Sequence, residues 1–394
     1  MEPSLIGLFL IAGLASLFMA WVIGAGSSGA TPFAPAVGAN AISTMRAAFV
    51  VGLLGLAGAV TQGANVSEAV GRGLIGGLTL PVTGVITVLL IGAGLMAIGI
   101  KTGYPIATAF TVTGSVIGVG LALGGTPVWP KYLEIGAVWA LTPLVGGAIA
   151  YGIASLLPRP DVPEAYSVAV LAALVGGVLA NVEFGGLGPN GSPGSFAGLA
   201  HRLLGVHPAL GRWGFTLFVA LGVAVIVSTD IRRDESGGLR RVLLALGSLV
   251  AFSAGASQVG LAVGPLLPIL EDVGVGSAFA VLVGGGLGIL VGSWTGAPRM
   301  IKSLAQDYSS LGPRRSIAAL VPSFLIAQLA VLLGVPVSFN EIVVSAIIGS
   351  GAAVGGTAAV SAKKILVTVG AWVASFAVAF VLGYGTIVVQ SMGW

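Results

Sequence analysis

Apolar residues run along this chain in long continuous blocks, without the two-residue alternation of a membrane β-strand. The blocks cover about residues 4–24, 47–62, 79–100, 104–124, 133–157, 165–181, 213–229, 241–270, 275–296, 316–334, 336–358 and 364–390. Each is comparable to the ~20 residues with which a helix crosses a bilayer. The pattern predicts an all-α polytopic membrane protein with ten to twelve crossings, because a segment in lipid must satisfy its backbone polar groups internally and nothing here alternates as a barrel does. The first 25 residues lack a basic stretch or a small-residue cleavage site and read as a retained span.

Polar positions interrupt this pattern in two places. Residues 182–212 are rich in Gly, Pro, Asn and Ser and hold His201 and His207, which reads as a surface loop with a short interfacial helix. Residues 230–241, "DIRRDESGGLRR", carry four arginines and read as a cytoplasmic loop by the positive-inside rule. These stretches divide the chain into a first half, residues 1–181, a connecting region, 182–241, and a second half, 242–394.

The halves repeat one another. "GAGSSGATPFAPAVG" (24–38) is followed by "TGYPIATAFTVTGSVIGVGLALGG" (102–125), and "AGASQVGLAVGPLLP" (254–268) by "LGVPVSFNEIVVSAIIGSGAAVGG" (333–356). Ser27 to Pro105 spans 78 positions and Ser257 to Pro336 spans 79. Matched Gly/Pro interruptions in the two halves are the pattern of transporters built from repeats: broken helices near the midplane present free amides to an anion and line a protein-enclosed cavity. The other reading of these glycines and serines is close helix packing. The polar positions in the matched runs, Ser27, Ser28 and Thr31 in one and Ser257 and Gln258 in the other, make them candidate substrate ligands.

Composition narrows the function classes. The residues are 56% hydrophobic and 8% charged, where soluble domains carry about a quarter charged. There is no cysteine, which removes thiolate chemistry, and two histidines make a multi-histidine metal site improbable. The net charge of +4 fits short anchoring loops better than nucleic-acid binding. No Ser-His pairing, His-rich metal motif or Gly-rich phosphate loop with its Lys points to an enzyme or an ATP-driven pump.

The repeated motifs resemble those of the inorganic phosphate transporter (PiT) family of anion permeases. Its members carry two copies of G-A-N-D-x-A-N-x-x-G in inverted repeats, each followed by a segment of the type P-V-S-T-T-H. "AGSSGATPFA" (25–34) and "GASQVGLAVG" (255–264) resemble the first motif; "PIATAFTVTGS" (105–115) and "PVSFNEIVVSA" (336–346) resemble the second. The resemblance covers essentially the whole chain and includes "VGANAIS" (37–43) and "LGPRRSIAAL" (311–320). It implies an alternating-access symporter of a small oxyanion, coupled to sodium or protons, in the plasma membrane, and it hints at a homodimer. It adds Thr108, Ser338 and Asn340 to the substrate set and implies a candidate sodium position near Ser28 and Gln258.

Both family aspartates are replaced, by Ser27-Ser28 and by Ser257-Gln258, and the histidine of the second motif is replaced by Phe110 and by Glu341. Glu341 has no basic residue within twenty positions. Acids within membrane segments are costly and functional by default, so Glu341 is a candidate proton carrier or an acceptor for a substrate hydroxyl. Dihydrogen phosphate needs at least one acceptor whereas sulfate needs donors alone. The lost carboxylates favour sulfate; Glu341 and the family favour phosphate, which is the first expectation. An uncoupled anion facilitator is the other functional class, favoured by the missing acids.

The remaining charged residues have simpler readings. Arg46 is an interfacial anchor or an anion-attracting residue at a cavity mouth. Arg299, Lys302, Arg314, Arg315 and Asp307 read as a solvated cytoplasmic loop, and Lys363 and Lys364 as a helix end. Trp129, Tyr132 and Trp394 fit an interfacial belt.

Overall fold

A computed structural model describes residues 3–159, 161–273, 277–355 and 360–392. The expected belt residue Trp394 and parts of the runs 275–296 and 336–358 lie outside the described residues. The chain folds into α1 (Pro3–Gly26), α2 (Ala34–Gly38), α3 (Thr44–Gln62), α4 (Ala64–Arg72), α5 (Val82–Thr102), α6 (Thr108–Ala122), α7 (Trp129–Leu156) and α8 (Glu164–Asn181). After α9 (Phe196–Leu204) and α10 (Pro208–Arg233) come α11 (Glu235–Val263), α12 (Leu267–Val273), α13 (Ala278–Thr295), α14 (Ala297–Gln306), α15 (Pro313–Leu333), α16 (Phe339–Gly355) and α17 (Ala362–Ser391). Two short antiparallel pairings, Ile75–Gly76 with Thr126–Pro127 and Glu183–Phe184 with Gly194–Ser195, clip loops together. Among the described residues ten helices are long and apolar enough to cross a membrane, and α6 and α16 are shorter apolar helices. The protein is therefore a multi-pass, nearly all-helical membrane protein, as the apolar runs predict.

The repeat is visible in the order of elements, since α1 to α7 recur as α11 to α17. Its sense is inverted. Arg240 near the start of α11 donates through Nε to the Ala41 carbonyl at 2.8 Å, so α3 and α11 begin at the same face. Helix α1, which precedes α3, runs toward that face while α11 runs away from it. Packing crosses between the repeats: α1 lies against α13 as α11 lies against α3, and α6 lies against α17 as α16 lies against α7. Small residues permit these approaches. A Cβ added at Gly255 would stand 1.9 Å from the Gly55 carbonyl oxygen, and one added at Gly349 2.0 Å from that of Gly147.

Three expectations about local structure are corrected. Residues 230–241 are not a loop: α10 continues through Arg233, and α11 begins at Glu235 after a hinge at Asp234, whose carboxylate accepts the Gly237 amide at 3.0 Å. Arg299 and Lys302 lie in α14, and Arg314 and Arg315 in the first turn of α15. Arg314 is not simply solvated, because it forms a two-bond ion pair with Glu164 at 2.7 Å that ties α15 to α8. The third correction concerns the second broken helix and belongs to the site.

Candidate functional site

Helix α1 ends at Gly26 because the next residues turn back on it. The Ser27 amide donates to Ile23 at 2.9 Å, and the Ser27 carbonyl then accepts the amides of Ala30 and Thr31 at 2.9 and 3.0 Å. Gly29 fits this turn for want of a side chain, as a Cβ there would stand 1.9 Å from the Gly24 carbonyl oxygen. The chain resumes as α2 only at Ala34. The first signature is thus a broken helix, as expected. The second is not: α11 continues without interruption through Ser257 and Gln258 to Val263, and its interruption comes later, at Gly264–Leu266. The expected pair of unwound segments at Ser27 and Ser257 is therefore one unwound segment facing the last two turns of an intact helix.

The freed amide ends come from the second motif instead. Residues 103–107 and 334–338 are non-helical, and α6 and α16 start inside the bundle at Thr108 and Phe339. The first helical bonds are Thr111 N–H to Ala107 and Ile342 N–H to Ser338, at 3.1 and 3.0 Å. The amides of Thr108, Ala109 and Phe110, and of Phe339 and Asn340, therefore have no intrahelical acceptor. Two buried helix N-termini carry partial positive charge there. Each approach segment is held by a tryptophan of the other repeat: Trp139 Nε1–H donates to the Pro336 carbonyl at 2.9 Å, and Trp372 Nε1–H to the Pro105 carbonyl at 2.8 Å.

Asn340 joins the pieces. Its Nδ2 donates to the Ile106 carbonyl at 2.7 Å and to the Gly26 carbonyl at 3.2 Å, linking the start of α16 to the approach of α6 and to the end of α1. Gln258 adds α11, donating through Nε2 to the Val337 carbonyl at 2.7 Å while its Oε1 accepts the Ser27 hydroxyl at 3.3 Å. Ser27, Gln258, Ser338 and Asn340 are fully buried, so the centre is closed to solvent. Among the described residues four buried side-chain atoms have no partner: Asn340 Oδ1, Glu341 Oε2 on the next residue, Ser257 Oγ beside Gln258 in sequence, and Thr113 Oγ1 on α6. Such atoms are rare and costly without a bonding role. The acceptor character of Asn340 Oδ1 is fixed, because two carbonyls on Nδ2 leave one assignment of the amide.

The expected residues do not all converge. Ser28 turns its hydroxyl to the Ile23 carbonyl at 3.4 Å and Thr31 to the Ser27 carbonyl at 3.2 Å, so both brace the turn after α1. Thr108 contacts Met96 Sδ at 3.5 Å. The hydrogen bonds of Ser28 and Gln258 do not join the two into one oxygen cage, and among the described residues no group of three or more His, Asp or Glu could hold a metal ion. Sequence reasoning missed Trp139 and Trp372; they follow Pro105 and Pro336 by 34 and 36 positions, a second matched spacing in the repeat.

A model of the phosphate transporter family matches residues 23–383. A provisionally named phosphate permease of Pyrococcus furiosus is 28% identical, covering 88% of each chain. The inorganic phosphate transporter 2-1 of Arabidopsis thaliana chloroplasts is 23% identical over 93% of this chain and 69% of its own. A solved structure described as the sodium-dependent phosphate transporter superposes with a TM-score of 0.82 at 22% identity, covering 98% of this chain and 99% of the other.

Proposed function

This chain belongs to the phosphate transporter family, and on that premise we propose that it moves inorganic phosphate across the membrane by alternating access, taking the hydrogen-carrying form of the anion at the Asn340 centre. The observation that carries this reading is the unpartnered buried oxygen of Asn340. Asn340 Oδ1 can only accept, and no protein donor reaches it. A phosphate that retains a proton supplies an O–H to that acceptor. Sulfate, ionised throughout near neutral pH, brings only lone pairs and would leave it unsatisfied. The amide ends of α6 and α16 and the Ser257 hydroxyl supply donors for the charged oxygens.

Glu341 is the coupling group in this reading. It is 1% exposed, and no basic side chain is bonded to it. A bare carboxylate and an oxyanion in one closed site repel each other, so the anion enters with Glu341 protonated and the pair leaves together, which is proton symport. Sodium coupling is the second reading, favoured by the name of the structural neighbour. Both aspartates of the family signature are missing here, which leaves neutral oxygens alone to hold a sodium ion.

The test is uptake of radiolabelled phosphate into proteoliposomes, challenged with excess unlabelled sulfate, in sodium and in sodium-free buffer. Uptake driven by a pH gradient without sodium, and untouched by sulfate, is expected. Equal competition by sulfate would sink the acceptor argument; an absolute need for sodium would transfer the coupling to the second reading.

A further inference from the structure

A cavity of about 760 Å³ lies away from the Asn340 centre, walled by α8, α10 and α15 and floored by the ends of α3 and α4. We propose that it is a lipid site, holding an acyl chain of a phospholipid from the surrounding leaflet with a zwitterionic ethanolamine headgroup at its polar end.

The walls say what stands at its mouth. Leu174, Leu329, Leu332 and Trp213 line it and are 50%, 55%, 58% and 69% exposed. All four belong to helices that cross the membrane, so their exposed surface faces hydrocarbon and the mouth opens into the bilayer. The size falls in the range of small-molecule sites and the walls are mainly apolar, as an acyl chain requires.

The lining formed by the exposed Asn181 and Glu183 with Gln62 and Thr216 is a polar, nearly uncharged end. Asn181 Nδ2 bonds Thr216 Oγ1 at 2.8 Å, and Gln62 Nε2 bonds the Glu183 carbonyl at 2.5 Å. No Lys, Arg or His lines the cavity, and Glu183 is its one ionisable residue. That end is unsuited to the oxyanion handled at the Asn340 centre and to an anionic headgroup, and it is complementary to an ammonium group. The cavity also touches the transport machinery. Gln328, in its wall, donates to Ser253 Oγ at 2.6 Å, and Ser253 lies one helical turn before Ser257 on α11.

The proposal is tested on the full chain in nanodiscs of equal parts palmitoyl-oleoyl phosphatidylethanolamine and phosphatidylglycerol, released into mild detergent and weighed by native mass spectrometry. One retained phosphatidylethanolamine per chain is expected, favoured about fivefold or more over phosphatidylglycerol. Filling the cavity from either wall, by Ala173→Phe or by Ala220→Phe, should remove that lipid while phosphate uptake shows the variant to be folded. Glu183→Gln should keep a lipid and lose the headgroup preference. Unchanged lipid retention in a folded, cavity-filled variant overturns the proposal, as does a wild-type preference for phosphatidylglycerol.

Discussion

Replacing Asn340 by alanine tests the centre of the site most directly. The substitution removes both Nδ2 bonds and leaves the buried Gly26 carbonyl and the part-buried Ile106 carbonyl without that donor. A buried carbonyl so deprived costs about 1–3 kcal/mol and a part-buried one less, so the variant should lose about 1–4 kcal/mol of stability, a sizeable part of the roughly 5–15 kcal/mol that a domain possesses. Function adds a separate loss. If Oδ1 accepts a proton-bearing phosphate oxygen, removing that bond to a charged ligand costs about 1.5–3 kcal/mol, or roughly ten- to a hundredfold in phosphate affinity. Denaturant unfolding in detergent reads the first quantity and concentration-dependent uptake the second. Asn340→Asp separates them further, because it keeps the volume and an acceptor but sets a carboxylate against two carbonyls. An alanine variant with wild-type unfolding and wild-type phosphate affinity would show that neither the bridge nor the acceptor matters.

Four further outcomes follow from the same geometry. Glu341→Gln should abolish uptake driven by a pH gradient and leave the fold intact; wild-type pH dependence in that variant would discard the proton-carrier role. Ser27→Leu and Ser257→Leu should each block phosphate binding, and undiminished affinity would mean that these hydroxyls only pack helices. Outside the membrane, partial burial works against ionising Asp307, but hydrogen bonds from Ser303 and Lys364 outweigh it and hold the carboxyl below its ordinary value of 3.8. A depressed value contributes stability that is fully present above 3.8 and is lost as pH falls through the lower folded-state value, so the difference between wild type and Asp307→Asn should be widest above 3.8 and shrink steadily as the pH is taken below it, and a difference that did not shrink on acidification would refute the assignment. The close approach of α7 and α16 can be tested sterically: a Cβ at Gly349 would stand 2.0 Å from the Gly147 carbonyl oxygen, so Gly349→Val should force the faces apart and lower the unfolding midpoint, and a wild-type midpoint in that variant would refute the tight packing.

The elements and the repeat are legible because they rest on runs of apolar residues and on Pro105 and Pro336, each two positions after a glycine that favours a break, whereas α7 and α15 carry Pro143 and Pro322 inside the helix. The same logic misread the second signature. "GASQVGLAVG" has the small-residue look of "AGSSGATPFA", but in α11 the glycines serve contact: Gly255 lies against Gly55, and a Cβ at Gly260 would stand 2.7 Å from the Ser67 amide nitrogen. A glycine permits an unusual backbone or a close neighbour, and composition does not say which. The acceptor role of Asn340 was equally hidden, since it depends on two carbonyls 234 and 314 positions away in the chain.

The crossed packing changes what alternating access can mean here. Chain order suggests that residues 1–181 and 242–394 rock against one another, yet Trp139 holds Pro336 and Trp372 holds Pro105, so each repeat carries the other's buried helix start. A motion that parted the sequence halves would strip both indole bonds and the α6–α17 and α7–α16 faces together. At the centre the two repeats are joined by the Asn340–Ile106 bond at 2.7 Å and by a longer Ser27–Gln258 bond at 3.3 Å, while Gln258 is held to Val337 of its own repeat at 2.7 Å. In the proposed alternating access the moving bodies would then be sets of helices joined by packing, with members from both repeats. The Ser27–Gln258 bond is the one a bound anion would contest, because it would compete for the same Ser27 hydroxyl.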